Sequence, residues 1–513
     1  MFDYDVLIAG YGPTGAVAAN LLGMQGVRVL VVEPNLEIYD LPRAVHFDGE
    51  VMRVFQAIGL VDEIENLAEP GDAIGFTNGK GWNLLQQDLT QVPRHHGWAN
   101  NNFFNQPALE AELRIGVQRF ANVDVRLGSN VSDFSETEDR VVVEIRGQDA
   151  SPEVTVRYLL GCDGASSSVR DILGIAQEDL GCDEPWLVCD WMLPAGMRIN
   201  RRAYQICDPA RPTTLVPCEG GHIRWEFMVS EGESSDELEQ ESLVRELMSP
   251  HVNRLSDDLN ANMGEIIRAK VYRFHALIAE SFQSERVFLL GDAAHQMPPF
   301  LGQGMCAGIR DAHNLAWKIS GVLSGRYRES VLTSYTTERR PHVQEVIKTA
   351  VGHGGIIQNR SKVLTFVRDC FLKLGGVFPS LISFLRFDLS WPLGPGLFDL
   401  RGGHELSAPI GETFPQCSDS DERLGSGFCV VVSDPDLVSG IDVCADIECK
   451  YISDLAVDEG ALTELEVWFG DHDVKAVVVR PDRYVYGCSA SVAGTNKLID
   501  DLRESLLEHA NEG

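Results

Sequence analysis

The sequence holds twelve cysteines but no C-x-x-C pair. That lack argues against a zinc ribbon and a dithiol redox centre, and no metal site is assigned. Scattered single cysteines fit free thiols in a reducing cytosol, so a cytoplasmic location is expected. No apolar run approaches the roughly 20 residues of a bilayer-spanning helix. The opening MFDYDVLIAG has no basic leader and reads as a short strand, so no signal peptide is expected. Basic residues are scarce: 43 Lys and Arg stand against 76 Asp and Glu, a net charge of −33. That field repels phosphate backbones and anionic lipid, which makes nucleic acid and membranes poor partners. A local basic pocket for an anionic ligand is compatible with it. There is no internal repeat and no low-complexity tract.

What is present is enough apolar material, 44% of 513 residues, for two or three cored domains. Residues 4–33 read as strand, tight turn, helix, strand, the period and length of a βαβ unit. Residues 45–68 read as helix and 73–104 as hairpins. Gln106-Pro107 opens another helix, with Pro at a favoured early position. Alternation over 122–160 and 185–230 predicts strands. In IRWEFMV it places Ile223, Trp225, Phe227 and Val229 on one face. A charged helix-like stretch covers 233–248, RVFLLGD (286–292) reads as a buried strand, and 304 to about 388 as mostly helix. Residues 402–416 read as a linker into a unit with strands FCVVVSD and VKAVVVRPD.

Three motifs carry chemistry. Gly10-x-Gly12-x-x-Gly15 lies between a strand and a helix, with Glu33 ending the next strand. The glycines permit the turn, the approach of a pyrophosphate and close helix packing, and the acid suits ribose hydroxyls. Next, LLGCDGASSSVRDILGI (159–175) delivers Asp163-Gly164 at a strand end; alone it reads equally as a strand running into a capped helix. Third, GDAAHQMPPFLGQGMCAGIRDAHNLAWKI (291–319) delivers Asp292 into a small-residue turn, stiffens at Pro298-Pro299, and leaves Gly302 and Gly304 bare at a helix start. Bare N–H groups there stabilise negative charge, such as that of a reduced flavin.

In this order these motifs resemble the group A FAD-dependent aromatic hydroxylases of the para-hydroxybenzoate hydroxylase fold, most of all the 3-(3-hydroxyphenyl)propionate hydroxylase branch. PRAVHFDGEVMRVFQAIGL, FNQPALEAELR, TTERRPHV and VRPDRYVYG add to the likeness, which covers nearly the whole chain. The resemblance implies an α/β plus α+β architecture: a Rossmann-like FAD-binding domain of the glutathione-reductase type, an interleaved β-sheet substrate domain and a C-terminal thioredoxin-like domain. The FAD-binding domain is expected from 1–72, 106–180 and 276–350, the substrate domain from 73–105 and 181–275, a helical region and linker over 351–404, and the C-terminal domain over 405–513.

By position, the resemblance implies FAD contacts from Gly10, Gly12, Pro13, Thr14, Gly15, Glu33, Arg43, Gln106, Val131, Asp163, Gly164, Asp292, Pro299, Gly302, Gly304 and Met305. The implied reaction consumes NADH or NADPH and O2 and hydroxylates a small phenolic substrate through a flavin C4a-hydroperoxide. No second nucleotide-binding βαβ unit appears, and GHGG (352–355) has the wrong spacing, so the nicotinamide is expected to visit transiently. Phenol ionisation needs a base or acceptor. His46 is the candidate, with a surface or helix-cap histidine as the competing reading; His295 either acts nearby or holds its loop. Trp191, Tyr204, Arg224 and Trp225 are candidate substrate walls, against the competing reading of core strand residues. Two other readings stay open: Baeyer–Villiger or N-heteroaromatic oxidation on the same fold, and a non-catalytic flavoprotein. A homodimer is compatible; the C-terminal unit is expected to be structural or oligomeric rather than catalytic, covering the flavin domain or pairing subunits.

Overall fold

The computed structural model describes residues 2–147, 153–194, 196–382, 385, 389–399, 409–417, 419–443 and 447–507. Part of the expected linker, 402–408, and Cys444 lie outside the described residues. At the N-terminus the βαβ reading is realised by strand Val6–Ala9, helix Pro13–Met24 and strand Val29–Glu33. These strands join Val123–Leu127, Tyr158–Gly161 and Val287–Leu289 in a five-stranded sheet, parallel throughout. Its central strands are buried along their whole length, which is why they read as unbroken apolar runs. Helix Gly304–Leu323 lies against helix 13–24, and helix Ser334–Ile357 follows it.

The expected single helix over 45–68 is three elements. His46–Phe47 is a short strand, Gly49–Ala57 a helix, and Val61–Glu65 a second helix. Gly59, at φ +66, turns the chain between the two helices, a conformation that a β-carbon would strain.

A second sheet has eight strands. Its central run is Glu265–Ala279, Gln177–Met192, His222–Met228, Thr213–Pro217, Arg202–Cys207, Ala73–Asn78 and Asn83–Asp88. One face is apolar: Leu187, Cys189, Trp191, Ile223, Trp225 and Phe227 pack with Val244 and Met248 of helix Glu241–Met248. The opposite face meets Phe300, the carbonyls of Pro42 and Arg43, and Ile357.

The C-terminal unit has a four-stranded sheet in the order Ile447–Tyr451, Phe428–Val432, Ala476–Val479, Val485–Ser489; the first pair is parallel, the others antiparallel. It docks through buried charge. Arg480 donates to Glu338, which also accepts from Lys318, and Arg53 forks onto Asp421. No helix among the described residues is long and apolar enough to cross a membrane.

Candidate active site

Gly10 sits at φ +101, and a β-carbon there would lie 2.3 Å from the carbonyl oxygen of Cys162. One on Gly15 would lie 2.1 Å from the carbonyl oxygen of Gly10. Packing within the protein requires both glycines. Gly12 is different: its φ is −73, and nothing lies within 4 Å of a β-carbon built on it. This open space fronts the N-terminus of helix 13–24, which has no side-chain cap, so its N–H groups are free for an anion. Pro13 occupies the first turn, and the Thr14 hydroxyl packs against Gly291 and Gly308. Glu33 braces the turn by accepting the N–H of Tyr11 at 2.9 Å, and it also holds Asn35.

Asp163 and Asp292 do different work. Asp163 accepts from Ser167 Oγ, Ser168 Oγ and the N–H of Val169, capping helix Ser168–Leu173. Gly164 beside it, at φ +81, faces open space. Asp292 stays in contact with solvent, and no hydrogen bond to it is found among the described residues. Surrounding protein pushes its carboxyl up, while His295 and Arg43 pull it back. Its turn is clamped from behind: Asp311 accepts from His295 Nε2 at 2.7 Å and from the N–H of Gly291 at 3.0 Å, and Arg339 holds its other oxygen. His295 is fully buried and serves the loop. Arg170 ties the 163–168 and 291–295 loops together by donating to the carbonyls of Ala165 and Ala293.

Pro299–Leu301 forms one tight turn, ended by Gly302 at φ +64. Gly304 and Met305 then open helix 304–323, with no side-chain cap and no acidic residue in its first turn. His46 lies directly against this floor: a β-carbon on Gly302 would be 2.8 Å from its Nδ1. Burial lowers the His46 pKa, so the ring is neutral at neutral pH. Its Nδ1 lies 3.4 Å from the Gly302 carbonyl oxygen, and its Nε2 is sealed from solvent. Nε2 has no hydrogen-bond partner among the described residues.

Behind the floor, Arg310 donates to Gln303 Oε1 at 3.0 Å, Glu50 at 2.6 Å and Asp48 at 2.7 Å. Tyr484 of the C-terminal unit donates to the other Glu50 oxygen at 2.6 Å. Burial works against the charge on Glu50, yet Arg310 holds its carboxyl well below the usual range. Sequence reading missed this chain; its signal is an Arg inside the apolar run MCAGIRDAHNLAW, where an unpaired charge cannot stand.

Arg43 and Gln106, both expected along the cofactor, meet each other through the Arg43 backbone. Gln106 Oε1 accepts the N–H groups of Arg43 at 2.9 Å and Ala44 at 2.6 Å, leaving the exposed Arg43 side chain stacked over Tyr39. Val131 is buried in the core next to the parallel sheet.

The four substrate candidates separate. Neighbours along a strand point to opposite faces, so Arg224 and Trp225 cannot line one wall. Trp191, Trp225 and Tyr204 all belong to the apolar face that packs on helix 241–248, away from the cleft. The Trp191 indole is satisfied there by the Met263 carbonyl at 2.7 Å. Their reading as substrate walls is corrected to core. Arg224 alone faces the cleft, pairing with Asp190 and donating to the carbonyls of Pro42 and Arg43.

These residues fit FAD: a vacant phosphate approach at Gly12, two uncapped helix starts, and an unengaged Asp292 between them. The comparisons agree. The family described as FAD binding domain matches residues 3–350. The chain is 33% identical over 521 residues to a 3-(3-hydroxy-phenyl)propionate/3-hydroxycinnamic acid hydroxylase of Mycobacterium sp. (strain JLS), covering 94% of this chain and 89% of that one. It is 31% identical over 516 residues to the protein of the same name from Escherichia coli (strain K12 / DH10B), covering 94% and 91%. Among solved structures, a ternary complex of aklavinone-11 hydroxylase with FAD and aklavinone superposes with a TM-score of 0.79 at 20% identity, over 99% of this chain and 100% of that one. With its nucleotide turn, its Asp292 loop and its uncapped floor inside the matched span, the chain belongs to the FAD binding domain family.

Proposed function

We propose that the chain hydroxylates a phenolic ring, using FAD as its resident cofactor, NAD(P)H as a visiting reductant and O2. The observation that carries this reading is the uncapped helix start at Gly302–Met305, with Trp186 of the eight-stranded sheet meeting Phe300 just before it. Bound FAD supplies hydride acceptance and the activation of oxygen. The chain's own residues hold it and order the surroundings. Gly12 and the 13–24 helix start would receive the pyrophosphate, Glu33 the adenosine ribose, and Asp292 a hydroxyl of the ribityl chain. Gly302, Gly304 and Met305 would meet the ring, whose negative charge on reduction the helix start favours. His46 we assign to positioning: it supports Gly302 from below. His46→Ala should therefore weaken FAD retention without changing the shape of the pH–rate profile.

The relatives named for 3-hydroxyphenyl acids make such acids the first substrates to try. The test is a phenol panel with NAD(P)H consumption and product mass followed together. Ring-inserted oxygen in the product, or no stimulation of NAD(P)H oxidation by any phenol, would overturn the reading. The C-terminal unit is proposed as thioredoxin-like without redox cysteines. Supporting this are its strand order, with the first two strands parallel and the last two antiparallel, and the absence of C-x-x-C. A homodimer is proposed through helix Lys362–Val377 rather than through that unit. Val363, Phe366 and Val377 are each at least 70% exposed on this helix, an apolar stripe of the kind that marks association surfaces. Sedimentation of Phe366→Glu as the same species as wild type would refute it.

A further inference from the structure

Two of the contacts between the eight-stranded sheet and the flavin-binding part flank one side chain. At one, the Trp186 and Phe300 rings meet edge-on, 5.7 Å between centroids. At the other, Arg224 and Arg268 donate to the Pro42 carbonyl, and Arg224 also to that of Arg43. Glu226 lies between these contacts. It is two residues beyond Arg224 and pairs in register with Val188, two residues beyond Trp186, so alternation puts all of these side chains on one face.

Glu226 is 6% exposed, and no hydrogen bond or ion pair to its carboxylate is found among the described residues. Its charged neighbours are engaged elsewhere: Asp190 takes both Arg224 and Arg268, together with His222. A buried carboxyl without a partner is costly and rare. The next positions across the sheet are Thr214 and Gln205, both also buried. Thr214 Oγ1 donates to Gln205 Oε1 at 2.7 Å, and the Gln205 amide N–H groups have no acceptor among the described residues. A carboxylate, a hydroxyl and an amide with no acceptor among the described residues therefore stand in a row across three neighbouring strands.

We propose that Glu226 takes the proton of the substrate's phenolic hydroxyl, with Thr214 and Gln205 orienting that oxygen. The inference rests on the phenolic reading above. The O–H bond breaks, its electron pair stays on oxygen, and the proton passes to Glu226. The ring carbon that gains oxygen later releases its hydrogen as a proton, the former phenolic oxygen takes up a proton in the same tautomerisation, and Glu226 gives its own proton to solvent before the next turnover. Burial, opposed by Arg224 and Arg268 and assisted by Asp190, pushes the Glu226 carboxyl up to about 7, where a base works best at neutral pH. The charged groups facing Glu226 are Arg224, Arg268 and Asp190, with His222 bound to Asp190.

The test uses FAD-loaded wild type, Glu226→Gln and Glu226→Asp with 3-(3-hydroxyphenyl)propionate. Binding is read from the change in flavin absorbance, and turnover across pH 5–9. In Glu226→Gln, flavin content and binding should persist, kcat should fall about 10²-fold or more, and the rise of kcat/KM near pH 7 should vanish. Glu226→Asp should keep that rise at a reduced rate. Normal turnover with an unchanged pH profile in Glu226→Gln would overturn the proposal, as would failure of both variants to hold FAD, which would make the carboxylate structural. If no phenol binds or is hydroxylated by the wild type, the phenolic reading falls and takes this inference with it.

Discussion

Two glycines three residues apart, Gly12 and Gly15, should fail in opposite ways when given a methyl group. At Gly15 the added β-carbon would sit 2.1 Å from the Gly10 carbonyl oxygen. That neighbour is backbone and cannot swing aside, so strand 6–9 and helix 13–24 must separate. Overpacking of this kind costs about 1–3 kcal/mol or more, in the apoprotein as much as in the loaded one. At Gly12 the β-carbon meets nothing within 4 Å, and φ −73 is ordinary for alanine. Folding should lose at most about 1 kcal/mol, the usual scale for an alanine at a helix N-cap. The methyl instead occupies the approach of the pyrophosphate. Losing one or two charge-assisted hydrogen bonds costs about 1.5–3 kcal/mol each, a tenfold to several-hundredfold weaker hold on FAD or beyond. The assay is thermal melting of both apoproteins beside FAD titration by quenching of flavin fluorescence. Gly12→Ala should melt near wild type and bind FAD poorly, whereas Gly15→Ala should melt early. A Gly12→Ala protein that binds FAD normally, or that melts as early as Gly15→Ala, refutes the division of the turn into packing space and ligand space.

Asp292→Ala should leave the apoprotein folded and reduce FAD affinity at least about tenfold, the loss of one charge-assisted bond; unchanged affinity would rule out a ligand role. Tyr484→Phe strands one oxygen of buried Glu50 and should lower stability by about 1.5–3 kcal/mol, read as an earlier melt, with looser FAD because Arg310 also holds Gln303; an unshifted melt contradicts the network. Glu226, raised to about 7 by burial, favours the fold fully below its unfolded value near 4.5 and loses that contribution as pH rises through about 7. Glu226→Gln should therefore flatten the decline of apoprotein melting temperature between pH 5 and 8, and an identical pH dependence in both proteins would count against the burial. Burial pushes Cys417 and Cys429 up to about 12 and raises Cys449, so alanine at these positions should preserve NAD(P)H-driven turnover. A folded, FAD-bound variant that loses it would bring the C-terminal unit into the chemistry.

The nucleotide turn was legible in the sequence because its requirements are local. A strand, three glycines at fixed spacing, a helix and an acid 18 residues on all answer to backbone geometry within one βαβ unit. The same is true of the uncapped helix start at Gly302–Met305 and of the alternation in IRWEFMV. Alternation gives two faces, however, and does not say which one a distant segment will cover. Helix 241–248 took the apolar face and left Trp191, Tyr204 and Trp225 in a core, so the polar neighbours Arg224 and Glu226 point to the opposite face. His46 reads as an available base in sequence, and only the fold sets its Nδ1 against Gly302. The link from Tyr484 through Glu50 and Arg310 to Gln303 spans separations of 434 and 260 residues. No spacing rule reaches that far: a buried charge must find an opposite charge, and the tertiary fold alone decides which one is within reach.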